Sequence, residues 1–173
     1  MKTAILGYSG SGKSTLARKL AEKQGVDVLH FDTVQFLPDW EIRTEEEKRR
    51  ITEEFLDTHG DWVIDGTYSK LFFERRMEEA DRIILLLFNR FSCLLRVTRR
   101  YRKYKNQTRP DMAEGCREKL DAEFVSWVLF KGRSKKSRER FKGIISKYGD
   151  KVVVIRNQRQ LDAFYKAEGL EKD

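Results

Sequence analysis

Residues 7–15 read GYSGSGKST, and Gly7 to Ser14 complete the pattern G-x-x-x-x-G-K-[ST]. This pattern works only between a strand that delivers the loop and a helix whose amino end faces it. The flanks supply both: TAIL at 3–6 reads as a strand, and residues 14–24 place Leu16, Ala17, Leu20 and Ala21 on one helical face before Gly25 stops the helix. Glycines in such a loop let consecutive N–H groups point inward at phosphate oxygens, and the helix adds its positive end. Gly7, Ser9, Gly10, Ser11, Gly12, Lys13, Ser14 and Thr15 are therefore the candidate nucleotide contacts. Lys13 is expected to reach the β- and γ-phosphates, and the Ser14 hydroxyl to ligate Mg²⁺. ATP with Mg²⁺ is the expected ligand pair.

The remaining chain alternates short apolar runs with helical periodicity. VDVLHF (26–31), WVID (62–65), RIILLLF (82–88) and KVVVI (151–155) read as four more strands. The run at 82–88 is apolar on both faces, as a buried parallel strand requires. Thr44 with Glu47 forms a capping-box signature for a helix that ends at Gly60, with Ile51 and Phe55 able to face a core. Further helices are expected over about 69–80, 90–105, 134–148 and 158–167. In the 90–105 helix Phe91, Leu94, Leu95 and Thr98 share one side, and in the 134–148 helix Phe141, Ile144, Ile145 and Tyr148 do. Residues 106–131, with Pro110 and two glycines, lose clear periodicity. Alternating strands and helices specify an α/β fold, a five-stranded parallel sheet flanked by helices.

With 173 residues, the chain suits one domain with a sizeable core, 1–173, carrying a lid-like segment over about 106–133. The apolar start TAIL is too short for an export signal, and no run is long enough to span a membrane. Cys93 and Cys116 are isolated, which argues against a disulfide framework or zinc site and fits a cytoplasmic location. A net charge of +8 favours polyanionic partners.

Ligands of parallel sheets bind beyond the carboxyl ends of the strands. Asp32, in HFD, falls just past the second strand, where a carboxylate could take the proton of an attacking hydroxyl or hold Mg²⁺ through water. His30 reads as core. Asp65, in IDGTY, could orient Mg²⁺ or its water shell, while Asp-Gly also serves as a plain turn. In RVTRRYRKYK, Arg96, Arg99, Arg100 and Lys103 fall on one helical stripe with no acid between 96 and 105. Such arginines suit the charge that develops in phosphoryl transfer, and Arg109 and the cluster KGRSKK at 131–136 continue the bias. Tyr101 and Tyr104 interleave the charge, which keeps nucleic acid open as a partner for stripe 96–105.

The segments GYSGSGKSTLARKL, HFD, WVIDGTYS, RMEEADRIILL and TRPDMAEGCREKLDAEF together resemble the bacterial DNA topology modulation protein family (FlaR-type), grouped with adenylate-kinase-like P-loop proteins. The resemblance spans nearly the whole chain, and RPDMAEGC at 109–116 is its most particular part. It implies a nucleoside/nucleotide-kinase fold with a mobile lid. It also implies that Asp32 sits at the acceptor site and Asp65 near the metal. Arg96 and Arg100 match the arginines after the fourth strand, and Arg109 and Arg133 fall in the lid region. One departure stands out: where relatives end the fourth strand on an acidic residue, this chain reads Leu87-Phe88-Asn89-Arg90. Asp32 or Asp65 must then serve the metal.

The expected activity is transfer of the γ-phosphate of ATP to a small acceptor, a nucleoside, nucleotide or other hydroxylated metabolite. Lys13, Asp32, Arg96, Arg100, Arg109 and Arg133 are the catalytic candidates, and Ser14, Asp32 and Asp65 the metal candidates. Phe36, Pro38 and Trp40 could wall the acceptor pocket or pack a loop. Nucleotide-dependent DNA binding is the alternative, and a nucleotide sensor with little turnover the third reading.

Overall fold

The computed structural model describes residues 1–109 and 111–171; Pro110, within the 106–133 segment, and residues 172–173 lie outside the described residues. Five parallel strands, β1 (Lys2–Gly7), β2 (Val28–His30), β3 (Trp62–Asp65), β4 (Arg82–Leu86) and β5 (Val152–Ile155), form one sheet in the order β2-β3-β1-β4-β5. Alternate side chains leave its opposite faces, so the sheet builds two cores. Ile5, Val63, Ile84 and Leu86 enter one core, with α1 (Lys13–Gln24), α5 (Arg90–Lys103) and α8 (Gln158–Ala167) packed over them. Ala4, Leu6, Trp62, Ile64, Ile83 and Leu85 enter the other, covered by α2 (Phe31–Gln35), α3 (Glu45–Thr58), α4 (Phe73–Glu79) and α7 (Lys135–Tyr148). The remaining helix, α6 (Ala122–Leu129), packs on α5.

Helix ends follow local chemistry. Gly25, at φ 64°, ends α1 in the left-handed conformation. Thr44 accepts from the Glu47 amide and so caps α3, while its hydroxyl donates to the Glu47 carboxylate. Asn89, Asp121, Ser134 and Asn157 each cap a helix in the same way through an amide three residues on.

Four expectations need correction. The second strand covers only three residues, because Phe31 starts α2 and is buried in the core that covers this face. The expected 69–80 helix begins at Phe73, since Phe72 sits at φ 47° and cannot continue a helix. On α5 the inward face is Cys93 and Val97, while Phe91 is 72% exposed and Leu95 51%. The aperiodic stretch contains α6, whose sequence AEFVSWVL is too uniformly apolar to show a face.

Candidate active site

Register sets the site. Ile5 pairs with Asp65, Asp65 with His30, and Gly7 with Leu86, so the strand ends line one edge of the sheet. Beyond that edge lies a cavity of about 870 Å³, lined by the glycine-rich loop, the 65–71 turn, α5 and the start of α7. The loop is built close against its neighbours. At Gly7, with φ 149°, a Cβ would fall 2.2 Å from the Leu86 carbonyl oxygen; at Gly10, with φ 76°, it would fall 2.6 Å from Val97. Only glycine fits both positions. The Thr67 hydroxyl bonds Gly7 twice, accepting from its amide at 3.3 Å and donating to its carbonyl at 3.2 Å.

Lys13 lines the cavity and donates to the Tyr8 carbonyl at 3.1 Å. Burial pulls its ammonium below the ordinary lysine range, against Asp65 and Asp32, which hold it up. Gly7, Ser9, Gly10, Gly12, Ser14 and Thr15 also line the cavity, whereas Ser11 is fully buried behind it and its amide donates to Tyr8.

Asp32 and Asp65 both face this space. Asp32, in the first turn of α2, accepts a 2.9 Å hydrogen bond from the Tyr68 hydroxyl. Burial and the Asp32 charge push the Tyr68 phenol far above its usual range, so it stays a donor. Asp65 is 4% exposed and lies 2.8 Å from His30 Nδ1. Burial works against charge on His30, but the Asp65 hydrogen bond and charge outweigh it and raise its pKa. Ser14, Asp32 and Asp65 all line the cavity, and their hard oxygens are the donor type that Mg²⁺ takes together with substrate phosphates. Among the described residues no group of three or more His, Cys, Asp or Glu is gathered to hold a metal by itself.

The arginines divide. Arg96 lies against the loop, donating to the Ser11 carbonyl at 3.0 Å, with its guanidinium 4.2 Å from the Phe88 ring centroid. Phe88, 1% exposed, thus supplies an aromatic platform for this guanidinium. Burial lowers the pKa of Arg96, and burial with the nearby Arg109 lowers that of Arg100. Arg100 and Arg109 line the large cavity and a smaller neighbour of about 470 Å³. Arg99 is exposed, so the expected stripe is split: Arg96, Arg100 and Lys103 face the cavity, and Arg99 faces away. Arg133 does not line either cavity. It stacks 3.9 Å from the Tyr8 ring and donates to Val128 and to the Cys93 sulfur. Phe36 and Trp40 line the smaller cavity, while Pro38 packs against Gly115.

Sequence reasoning assigned no role to Tyr68, Lys48, Arg140 or Glu118. Lys48 and Arg140 line the large cavity and Glu118 the small one, and all three are placed by contacts distant in sequence. Tyr68 had one signal, its position three residues past the Asp65 strand end.

A glycine-rich loop between the first strand and first helix of a five-stranded parallel sheet defines a P-loop kinase-like fold. The model of the AAA domain family matches residues 4–126, and the chain belongs to that family. Among solved structures, TT1252 from Thermus thermophilus is 17% identical, with 96% of this chain and 95% of that one covered and a TM-score of 0.54. Deoxyadenosine kinase from M. mycoides with bound dATP is 16% identical over 98% of this chain and 100% of its own, also at 0.54. The same kinase with dCMP and dCDP is 13% identical over 98% of both chains, at 0.50. No curated protein matches the chain.

Proposed function

We propose that this protein transfers the γ-phosphoryl group of ATP to the hydroxyl of a small acceptor. The observation that carries this reading is the position of Asp32. It lies on the boundary of the two cavities, lining both together with Ser9, Tyr68, Arg100 and Arg109. A nucleotide on the Gly7–Thr15 loop fills the larger space, and an acceptor in the smaller one presents its hydroxyl to the carboxylate. Similarity of fold to deoxyadenosine kinase supports the same class of chemistry.

In this reading Asp32 accepts the hydroxyl proton, and Tyr68 fixes the carboxylate that does so. Lys13, Arg96, Arg100 and Arg109 neutralise charge on the moving phosphoryl group. Mg²⁺ near Ser14, Asp32 and Asp65 would supply further charge neutralisation on the phosphate oxygens. Arg109, Asp111 and Trp127 line the larger cavity from the lid-like stretch, which would close over bound phosphate and keep water out. Arg133 serves by holding Tyr8 rather than by touching phosphate.

ADP formation should be measured from ATP and Mg²⁺ across nucleosides, nucleotides, hydroxylated metabolites and duplex DNA, with Lys13→Ala as control. The resemblance to the DNA topology modulation family is the reason for the DNA arm. One small hydroxyl compound is expected to stimulate turnover and to appear phosphorylated. Asp32→Asn should reduce that turnover by about 10²- to 10⁴-fold while ATP affinity is kept. Stimulation by DNA alone, or full turnover in Asp32→Asn, would sink the proposal.

A further inference from the structure

The two cavities differ sharply in charge. Among the described residues, eleven basic side chains and four acidic ones line the larger. Three basic and four acidic side chains line the smaller. Of the glycine-rich loop the smaller cavity touches only Ser9, and its walls include Phe36, Trp40, Phe124 and Trp127. The ring of Trp40 meets Phe36 edge-on at 5.2 Å, and its Nε1 donates to the Arg117 carbonyl at 3.2 Å. The aromatic wall is thereby tied to the segment that carries Glu118.

Glu118 is the reason the balance tips. One carboxylate oxygen accepts from Arg100 Nε at 2.7 Å, and the other lies 2.7 Å from Arg109 Nε. A second acid, Asp111, accepts from Arg109 Nη1 at 3.0 Å. Glu118 is 6% exposed, and its own amide is fixed by a 3.0 Å bond to the Gln107 carbonyl. It lines the smaller cavity and not the larger, whereas both arginines line both. On the acceptor side, then, a carboxylate already holds the two guanidinium groups that a phosphomonoester would need.

We propose that the smaller cavity takes an uncharged, ring-bearing alcohol and rejects its phosphorylated counterpart, and that Glu118 sets this selectivity by engaging Arg100 and Arg109. The inference deepens the kinase reading above and rests on it. A phosphomonoester brings nearly two negative charges into a space that already holds an excess of acid, where Glu118 and Asp111 already engage the guanidinium groups that would meet them. A neutral ring meets the aromatic walls and leaves the Glu118 bridge intact. Arg100 and Arg109 also line the larger cavity, where transferred phosphate would need them.

The test is ligand binding, read by the fluorescence of Trp40 and Trp127. The protein is first saturated with a non-hydrolysable ATP analogue and Mg²⁺, so that phosphate cannot report from the glycine-rich loop. Adenosine, guanosine, cytidine and thymidine are then titrated beside their 5′-monophosphates. The wild type should bind at least one nucleoside, tighter than its monophosphate by about tenfold or more, the scale of one charge-assisted hydrogen bond. Glu118→Gln, with its fold checked by circular dichroism, should narrow or reverse that ratio by a similar factor. A wild type that prefers the monophosphates, or binds no nucleoside, overturns the proposal, and so does a folded Glu118→Gln protein with an unchanged ratio. The wild-type comparison decides the matter even where the variant fails to fold. Selective nucleoside binding with no ADP formed would sink the kinase reading instead and leave the cavity's selectivity standing.

Discussion

Arg76 is the most buried cation in the described structure, at 0% exposure, and replacing it with methionine should loosen the turn that carries Tyr68. Its guanidinium donates to the carbonyls of Leu71 at 2.8 Å, Tyr68 at 2.6 Å and, more weakly, Gly66 at 3.4 Å. It stacks 4.4 Å from the Phe31 ring. Burial alone lowers its pKa to about 9. The charge is carried there without an acidic partner because it staples the whole 66–71 turn. Two good bonds to a charged donor contribute about 1.5–3 kcal/mol each, and the removed desolvation of the guanidinium returns part of that. Arg76→Met should therefore destabilise by about 2–4 kcal/mol, which lowers Tm by roughly 10 °C in a chain of this size. Arg76→Lys keeps charge but cannot reach three carbonyls at once, so it should recover only part of the loss. Thermal melts of both variants by circular dichroism provide the check. A methionine variant that melts within about 2 °C of wild type would refute the stapling argument.

Other perturbations separate the site's parts. Tyr68→Phe keeps the ring against Phe31 but removes the hydrogen bond to Asp32, so kcat should fall about 10- to 100-fold with ATP affinity unchanged in a direct binding assay. His30 binds its proton more tightly when folded, so its contribution to stability is complete below about pH 6.5 and is lost as pH rises through the raised folded value. The stability gap between wild type and His30→Asn should accordingly shrink as pH rises above about 6.5 in urea melts; a gap that widens is the wrong sign for this pair. Gly7→Ala, forced toward the Leu86 carbonyl at a positive φ, should cost about 2–4 kcal/mol and abolish nucleotide binding, both measurable on the same sample.

The sheet was legible because buried parallel strands are written as short continuous apolar runs: WVID gave β3 directly, and RIILLLF gave β4 with its last two residues, Leu87 and Phe88, beyond the strand end. β2 was overextended for the same reason: Phe31 is as apolar as a strand residue, and only its place beneath α2 shows that the chain has already turned into a helix. On α5, Phe91 and Leu95 looked like the buried stripe, yet the smaller Cys93 and Val97 face inward, where Gly10 brings the loop backbone close. The glycine-rich loop could be read locally because its function is a backbone property of consecutive residues. The bridge from Glu118 to Arg100 and Arg109 could not, since it depends on the pairing of the 105–109 and 117–118 segments across an aperiodic stretch.

That same stretch changes the meaning of the net charge of +8. Read along α5, the cations suggest a face offered to a long polyanion. Folded, Arg96 and Arg100 turn with Lys13, Lys48 and Arg140 toward one cleft, with the exposed Lys103 and Lys136 at its rim. A duplex backbone needs cations spread over an exposed surface, where salt can compete for each contact. Cations gathered behind a glycine-rich loop serve a small, dense cluster of charge instead, and polyphosphate of a bound nucleotide is such a cluster. The acids are distributed with matching purpose: Asp32 and Asp65 hold up the charge on Lys13, and Glu118 neutralises the arginines on the acceptor side. The basic surplus is thus concentrated where phosphate would be moved and cancelled where the group receiving it would sit.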